Sequence, residues 1–259
     1  MPKKYQTKKR FGQHFLRDHN IIQKIISAIA PQEADKIVEI GPGLGALSFP
    51  LLEYINTLDV VEIDRDVVQR LQAKNKQQLH IHNVDALQFD FSSLSNDKTD
   101  KLRIVGNLPY NISTPLIFHL LNYRGHIKDM HFMLQKEVVD RLTASPSSKD
   151  YGRLSVMVQY FCKTEYLFYV SPNAFSPPPK VDSAVLRITP WDNLPFKSQN
   201  PEFLAKLVKE AFSKRRKTLR NSLKKLLSSE QIEAAGIDPS LRPEQLDIEG
   251  FVNLSNLNL

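Results

Sequence analysis

Short apolar runs at 36–40, 58–63, 79–84, 102–106 and 130–134 alternate with stretches of helical spacing. Each run is rich in Val, Ile and Leu. Strands that alternate with helices close into a parallel sheet covered on both faces. Two later runs, 166–170 and 184–188, flank the proline-rich loop SPNAFSPPPKVD. No helix fits inside that loop, so these strands are expected to pair antiparallel at a sheet edge. After residue 188 the texture changes. TPWDNLPFKSQNPE reads as a linker. Beyond it Leu204, Leu207, Val208, Ala211 and Phe212 recur at helical spacing, as do Leu219, Leu223, Leu226 and Leu227. Ser228 with Gln231 forms a capping-box pattern, and Gly236 is placed to stop that helix. The expected architecture is an α/β domain over 1–195 followed by a small all-helical domain over 196–259.

With 41% hydrophobic residues the chain has ample material for a core. Its single cysteine, Cys162, excludes an internal disulfide and a multi-cysteine zinc site. No metal-ligand cluster stands out. The N-terminus is basic without a following apolar stretch, and no run of eighteen apolar residues occurs, so a cytoplasmic protein without a membrane span is expected. The net charge of +7 is unevenly placed. Residues 1–17 carry Lys3, Lys4, Lys8, Lys9, Arg10 and Arg17 and no acid, while residues 206–225 hold nine cations against Glu210. A solvated surface would scatter these charges. Clustering points to a polyanion, most commonly nucleic acid. Lys214, Arg215, Arg216, Lys217 and Arg220 are the candidate phosphate contacts, since consecutive cations cannot all lie on one side of a helix.

Three motifs carry chemistry. Directly after the first strand comes Glu39-Ile40-Gly41-Pro42-Gly43-Leu44-Gly45-Ala46. Gly41 and Gly43 let backbone amides approach a ligand, and a helix N-terminus after the turn adds a favourable dipole. Glu62, ending the next strand, is placed to accept both hydroxyls of a ribose. The turn also matches the nicotinamide fingerprint G-x-G-x-x-A. That cofactor requires neither an acid after the third strand nor an Asn-Pro motif after the fourth, and this chain has both. Asp85 can accept from an adenine amino group, or simply cap a helix.

Asn107-Leu108-Pro109-Tyr110 ends the fourth strand. An exocyclic adenine amine is a poor nucleophile because its lone pair is delocalised into the ring. Two acceptors, the Asn107 side-chain oxygen and the Leu108 carbonyl, can hold its protons and draw the nitrogen toward tetrahedral geometry. Pro109 stiffens the loop and offers no competing N–H. Tyr110 can stack on the base. In the third motif, Asn173–Val185, three prolines pre-order a loop in which Phe175 is either a second wall of the base pocket or a core residue.

Together these residues resemble the small-subunit (16S) ribosomal RNA adenine N6,N6-dimethyltransferases. The resemblance spans RFGQHFL at 10–16, EIGPGLGAL at 39–47, VVEID at 60–64, VDAL at 84–87, NLPYNIS at 107–113, YGRLSV at 151–156, FSPPPKVDSAV and AFSKRRKTLRNSL at 211–223. It implies a Rossmann-like S-adenosylmethionine-dependent methyltransferase domain with a seven-stranded, mostly parallel sheet and a helical RNA-binding C-terminal domain. The implied activity places two methyl groups on each of two adjacent adenines near the 3′ end of 16S rRNA, in an immature small subunit, by a monomer. The implied cofactor site is His14, Leu16, Gly41, Glu62, Asp85 and Asn107. His14 departs from the asparagine usual in the family. Two rivals stand beside this reading: a large-subunit (23S) adenine methylase, and a non-catalytic RNA-binding assembly factor. Glu62, Asn107, Pro109 and Tyr110, all present, argue against the second.

Overall fold

A computed structural model describes residues 14–95, 100–214 and 216–257. The N-terminal cations Lys3 to Arg10, residues 10–13 of RFGQHFL, and Arg215 lie outside the described residues.

Seven strands form one sheet: β2 (Lys36–Ile40), β3 (Leu58–Val61), β4 (Leu79–His82), β5 (Leu102–Asn107), β6 (Ile127–Gln135), β7 (Cys162–Val170) and β9 (Ser183–Pro190). They run in the order β4-β3-β2-β5-β6-β9-β7. The pairs among β2 to β6 are parallel and β9 joins β6 antiparallel. The expected α/β sheet is present, and the two late runs do lie side by side at its edge. β1 (Phe15–Leu16) and β8 (Phe175–Ser176) form a separate small antiparallel ladder.

The centre of the sheet is buried on both faces, so Ile37, Val38 and Ile40 on β2 are all core residues. Gly106 on β5 lies so close to β2 that a Cβ there would sit 2.5 Å from the Ile40 carbonyl. Intervening helices are α1 (His19–Ile29), α2 (Ser48–Leu51), α3 (Arg65–Gln72), α4 (Ser113–Leu121) and α5 (Lys136–Thr143). In α1 the spacing of Ile22, Ile25, Ile26 and Ile29 puts one stripe into the core, at roughly 1.5–3 kcal/mol for each side chain. Asp18 caps its start, accepting from the amides of Asn20 and Ile21, and Ala30 ends it in the left-handed region. The last carbonyls of α1 are taken by two guanidiniums from the sheet. Arg103 on β5 donates to Ile29 (2.6 Å) and Ala30, and Arg187 on β9 donates to Ala28 (2.9 Å). Asp35 and Asp129 pair with the buried Arg103. This polar lock fixes the far end of the helix whose lead-in, residues 14–18, reaches the site below.

The chain divides into two compact bodies, 1–139 with 165–190, and 140–164 with 191–259. The second therefore takes in 140–164 as well as the expected C-terminal stretch. It contains α6 (Arg153–Phe161), α7 (Pro201–Ala211), α8 (Leu219–Ser222), α9 (Ser229–Ala234) and α10 (Ile248–Ser255). Tyr151 meets Phe212 edge-on, and Phe212 lies tilted against the buried Phe251. The predicted linker is tied down here, since the buried Ser198 bonds Tyr160 and Ser255. The capping box at Ser228 and the stop at Gly236 (φ +75) are present. The helical spacing read over 219–227 is realised as one helical turn, α8, although Leu219, Leu223 and Leu227 are all buried. Turns beyond Ser222 deliver the same side chains to the core.

Candidate functional site

In an open α/β sheet the ligand crevice lies beyond the carboxyl ends of the strands, where the strand order reverses. Here that point is between β2 and β5. A cavity of about 710 Å³ opens there, within the range of ligand pockets. It brings together His14, Leu16, Gly41, Gly43, Glu62, Asp85, Asn107, Leu108, Pro109 and Tyr110. Phe15, Ile63 and Ala86, which lie within quoted motifs but had no role assigned, also line it.

The turn after β2 requires glycine. Gly41 and Gly43 have φ of +68 and +55. At Gly43 a Cβ would also press on the Phe15 ring, at 3.0 Å. The Gly41 amide donates to the Val61 carbonyl (3.0 Å), which joins the turn to β3. The helix dipole expected behind this turn is absent in any useful form, because α2 begins only at Ser48 and is four residues long. Strong phosphate binding by that helix is thus not built in.

Acids dominate instead. Glu39, 2% exposed, accepts from Ser48 Oγ at 2.5 Å. Burial, with a contribution from nearby Glu62, pushes its carboxyl up to about 7. Glu62 is also buried, and burial raises its pKa while the amides of Asp64, Ile63 and Gly43 oppose the rise. Its Oε1 accepts from the Asp64 amide at 2.8 Å. No helix starts at Asp85; its Oδ1 accepts from the Leu87 amide (2.9 Å) in a turn, and the residue lines the cavity. With Glu62 and Asp85 as acceptors and no long helix behind the turn, the site suits a ligand that donates from hydroxyl and amino groups better than a pyrophosphate.

Opposite the acids lies the loop after β5. The Leu108 amide is held by the Met133 carbonyl on β6. Asn107 Nδ2 donates to the His14 carbonyl at 3.0 Å. That bond fixes the amide so that Oδ1 is its acceptor. The His14 ring bonds the Pro177 carbonyl through Nδ1 (2.8 Å) and stacks on Tyr110 with centroids 6.0 Å apart. The Tyr110 hydroxyl meets Ser183 Oγ at 2.9 Å. Ser48 follows the glycine motif and Ser183 lies within FSPPPKVDSAV, and neither carries a sequence signal of its own.

Phe175 is the residue that moves. Its backbone pairs with Leu16, its ring is 5% exposed within the core, and it is not among the cavity-lining residues. The pocket-wall reading gives way to the core one: Phe175 supports the β1 strand that lines the cavity. In the second body Lys214, Arg216, Lys217 and Arg220 are exposed while Leu219 and Leu223 are buried. Among the described residues no acid and histidine cluster suits a metal, and no helix is long and apolar enough to cross a membrane.

This sheet, with its glycine turn and acid-lined crevice, defines a Rossmann-like methyltransferase. A dimethyladenosine transferase from Plasmodium falciparum is similar in structure (TM-score 0.77, 27% identity, covering 93% of this chain and 96% of the other). A 23S rRNA methyltransferase, ErmE, shares the fold (TM-score 0.74, 23% identity, 94% and 98% covered). The chain belongs to the ribosomal RNA adenine dimethylase family, whose model matches residues 4–258. It is 57% identical over 258 residues to ribosomal RNA small subunit methyltransferase A of Hydrogenovibrio crunogenus, covering 98% of this chain and 97% of the relative. The protein of the same name from Pseudomonas aeruginosa is 56% identical over 254 residues, covering 97% and 94%.

Proposed function

We propose that this protein transfers methyl groups from S-adenosylmethionine to N6 of two adjacent adenines near the 3′ end of 16S rRNA, acting as a cytoplasmic monomer on the immature small subunit. One observation carries the reading. The acids at the ends of β3 and β4 and the Asn107–Tyr110 loop open into a single cavity. The lining fits the cofactor: Glu62 for the ribose hydroxyls, Asp85 for the adenine amine, and Leu16 and Ile63 for apolar contact. When bound, S-adenosylmethionine supplies an activated methyl group, so the residues need mainly to place the nucleophile.

Asn107 Oδ1 and the Leu108 carbonyl accept the two N6 protons and turn the lone pair out of conjugation. Tyr110 stacks on the flipped base, which must leave its helix to enter. Each methylation would form one N–C bond as the methyl–sulfur bond breaks, leave the cofactor as its neutral thioether, and release one amine proton to water. The dimethylated base can donate to neither acceptor, so its hold on the loop is lost when the reaction is complete. In the second body, exposed Lys214, Arg216, Lys217 and Arg220 contact phosphates, and Arg215 is assigned with them. High identity to small-subunit enzymes favours this substrate over the large subunit. The test is methyl transfer from labelled S-adenosylmethionine to immature small subunits, with modified positions mapped. Label in two adjacent adenines of 16S rRNA is expected; no label there, or label only in 23S rRNA when large subunits are offered in parallel, overturns the reading.

A further inference from the structure

We infer that Ser183 is a positioning residue for methyl transfer, holding the long axis of the Tyr110 ring on which the target base stacks. The inference rests on the functional reading above and concerns a residue to which that reading gives no role.

Tyr110 follows β5 in a loop outside the sheet ladder, where nothing in the backbone fixes its ring. Ser183 opens β9, and β6 lies between β5 and β9. The tyrosine thus spans a whole strand to place its hydroxyl 2.9 Å from Ser183 Oγ. The serine itself is immobile. It is fully buried, its register partner is Gln135, and the Lys136 amide donates to the adjacent Asp182 carbonyl at 2.9 Å. A hydroxyl buried to this degree needs a partner, and Tyr110 provides it. The bond is at the para end of the ring, on the axis about which the ring turns, so it fixes where the ring's long axis points and leaves the plane to its stacking neighbour. The His14 imidazole lies nearly parallel to the same ring, 24° between planes. Ring orientation is thereby set from the sheet and from the N-terminal lead-in together.

A purely structural hydrogen bond would alter stability and leave turnover alone. The test is therefore a double-mutant cycle of Ser183→Ala and Tyr110→Phe, read as kcat with small subunits and S-adenosylmethionine both saturating. Each single variant should lower kcat about three- to ten-fold, the range of one ordinary hydrogen bond. The double variant should be no slower than either single one, because both remove the same bond. Calorimetric affinity for S-adenosylmethionine should not change. Wild-type kcat in the single variants, or losses that multiply in the double variant, overturns the inference. If Ser183→Ala does not fold, Tyr110→Phe reads the same bond from its other end, and wild-type kcat there is decisive against it. A wild-type protein that transfers no methyl groups overturns the functional reading and this inference with it. An active wild type with unaffected variants overturns this inference alone.

Discussion

The crevice at the strand ends and the basic segment at 206–225 are built by opposite means. In the crevice nearly every polar side chain is already committed. Asn107 is held by His14, Glu62 by the Asp64 amide, Glu39 by Ser48 and Tyr110 by Ser183. In the basic segment the described cations are exposed, while the apolar Leu207, Leu219 and Leu223 among them are buried. The first arrangement fixes atoms to fractions of an ångström, as group transfer demands. The second supplies charge without fixed geometry, which suits a phosphate backbone. Substitutions should follow that division. In the crevice they should change rates and cofactor affinity steeply, and in the basic segment they should change only the salt dependence of RNA binding.

The largest expected effect is that of Asn107→Ala. Losing the acceptor that shapes the nucleophile should lower kcat on the order of 100- to 1,000-fold, the scale for one pre-organised transition-state contact. RNA binding should be nearly unchanged, since the footprint lies mostly elsewhere, and some cofactor affinity should go with the residue's place in the cavity. Single-turnover methylation with both ligands saturating measures it. A near-normal rate would assign the amine to another acceptor.

Next is the buried acid beneath the glycine turn. Glu39 has a folded pKa of about 7 against 4.5. Its contribution to stability is full below pH 4.5 and is lost as pH rises through 7. His131, pushed by burial to about 4 from 6.5, behaves oppositely: its contribution is full above pH 6.5 and is lost as pH falls through 4. The two slopes oppose each other in mildly acidic solution, which hides both. Glu39→Gln keeps an acceptor for Ser48 and removes one slope. The variant should match wild type near pH 4 and exceed it by about 3 kcal/mol near pH 8. Urea unfolding across that range reads the difference. A gap that does not vary with pH would mean that Glu39 is not ionising in place.

How much of this was legible in the sequence follows from the range of the interactions. The sheet, the glycine turn, Glu62 and the Asn-Pro loop depend on local patterns and could be read directly. The seven strands lie where the apolar runs placed them, though β6 and β7 extend beyond their runs because neighbouring strands supply ladder partners. What could not be read depends on residues distant in sequence. Ser183 and Tyr110 are 73 residues apart, and Arg103 and the Ile29 carbonyl 74. Phe175 could not be assigned from its rigid loop alone, because the β1–β8 ladder decides which way it faces. The spacing of Leu219, Leu223, Leu226 and Leu227 marked positions that are buried, or half-buried at Leu226, but not a continuous helix, since successive turns can deliver the same side chains inward.

Glu62→Ala should weaken S-adenosylmethionine binding by about 1–3 kcal/mol, the scale of hydrogen bonds to a charged group. Calorimetry with NAD in parallel sharpens the division between acid-lined and phosphate-binding crevices. NAD is expected not to bind either protein, because α2 is too short and too late to serve a pyrophosphate. Tight NAD binding to the wild type would reverse the cofactor assignment.

The smallest effect per residue belongs to the basic segment, and it differs in kind. Arg216, Lys217 and Arg220 are exposed, and the buried Leu219 and Leu223 beside them carry the local packing. Replacing the three cations by Gln should therefore leave the fold intact. If they touch phosphates, each lost contact removes released counterions, and the slope of log affinity against log salt should flatten by about 0.7–0.9 per contact. Affinity for S-adenosylmethionine should be unchanged, because none of the three lines the cofactor cavity. Small-subunit binding at several salt concentrations separates phosphate contact from ordinary solvation of a charged surface. A folded variant with the wild-type slope would leave these cations as surface charge and move RNA recognition elsewhere on the molecule.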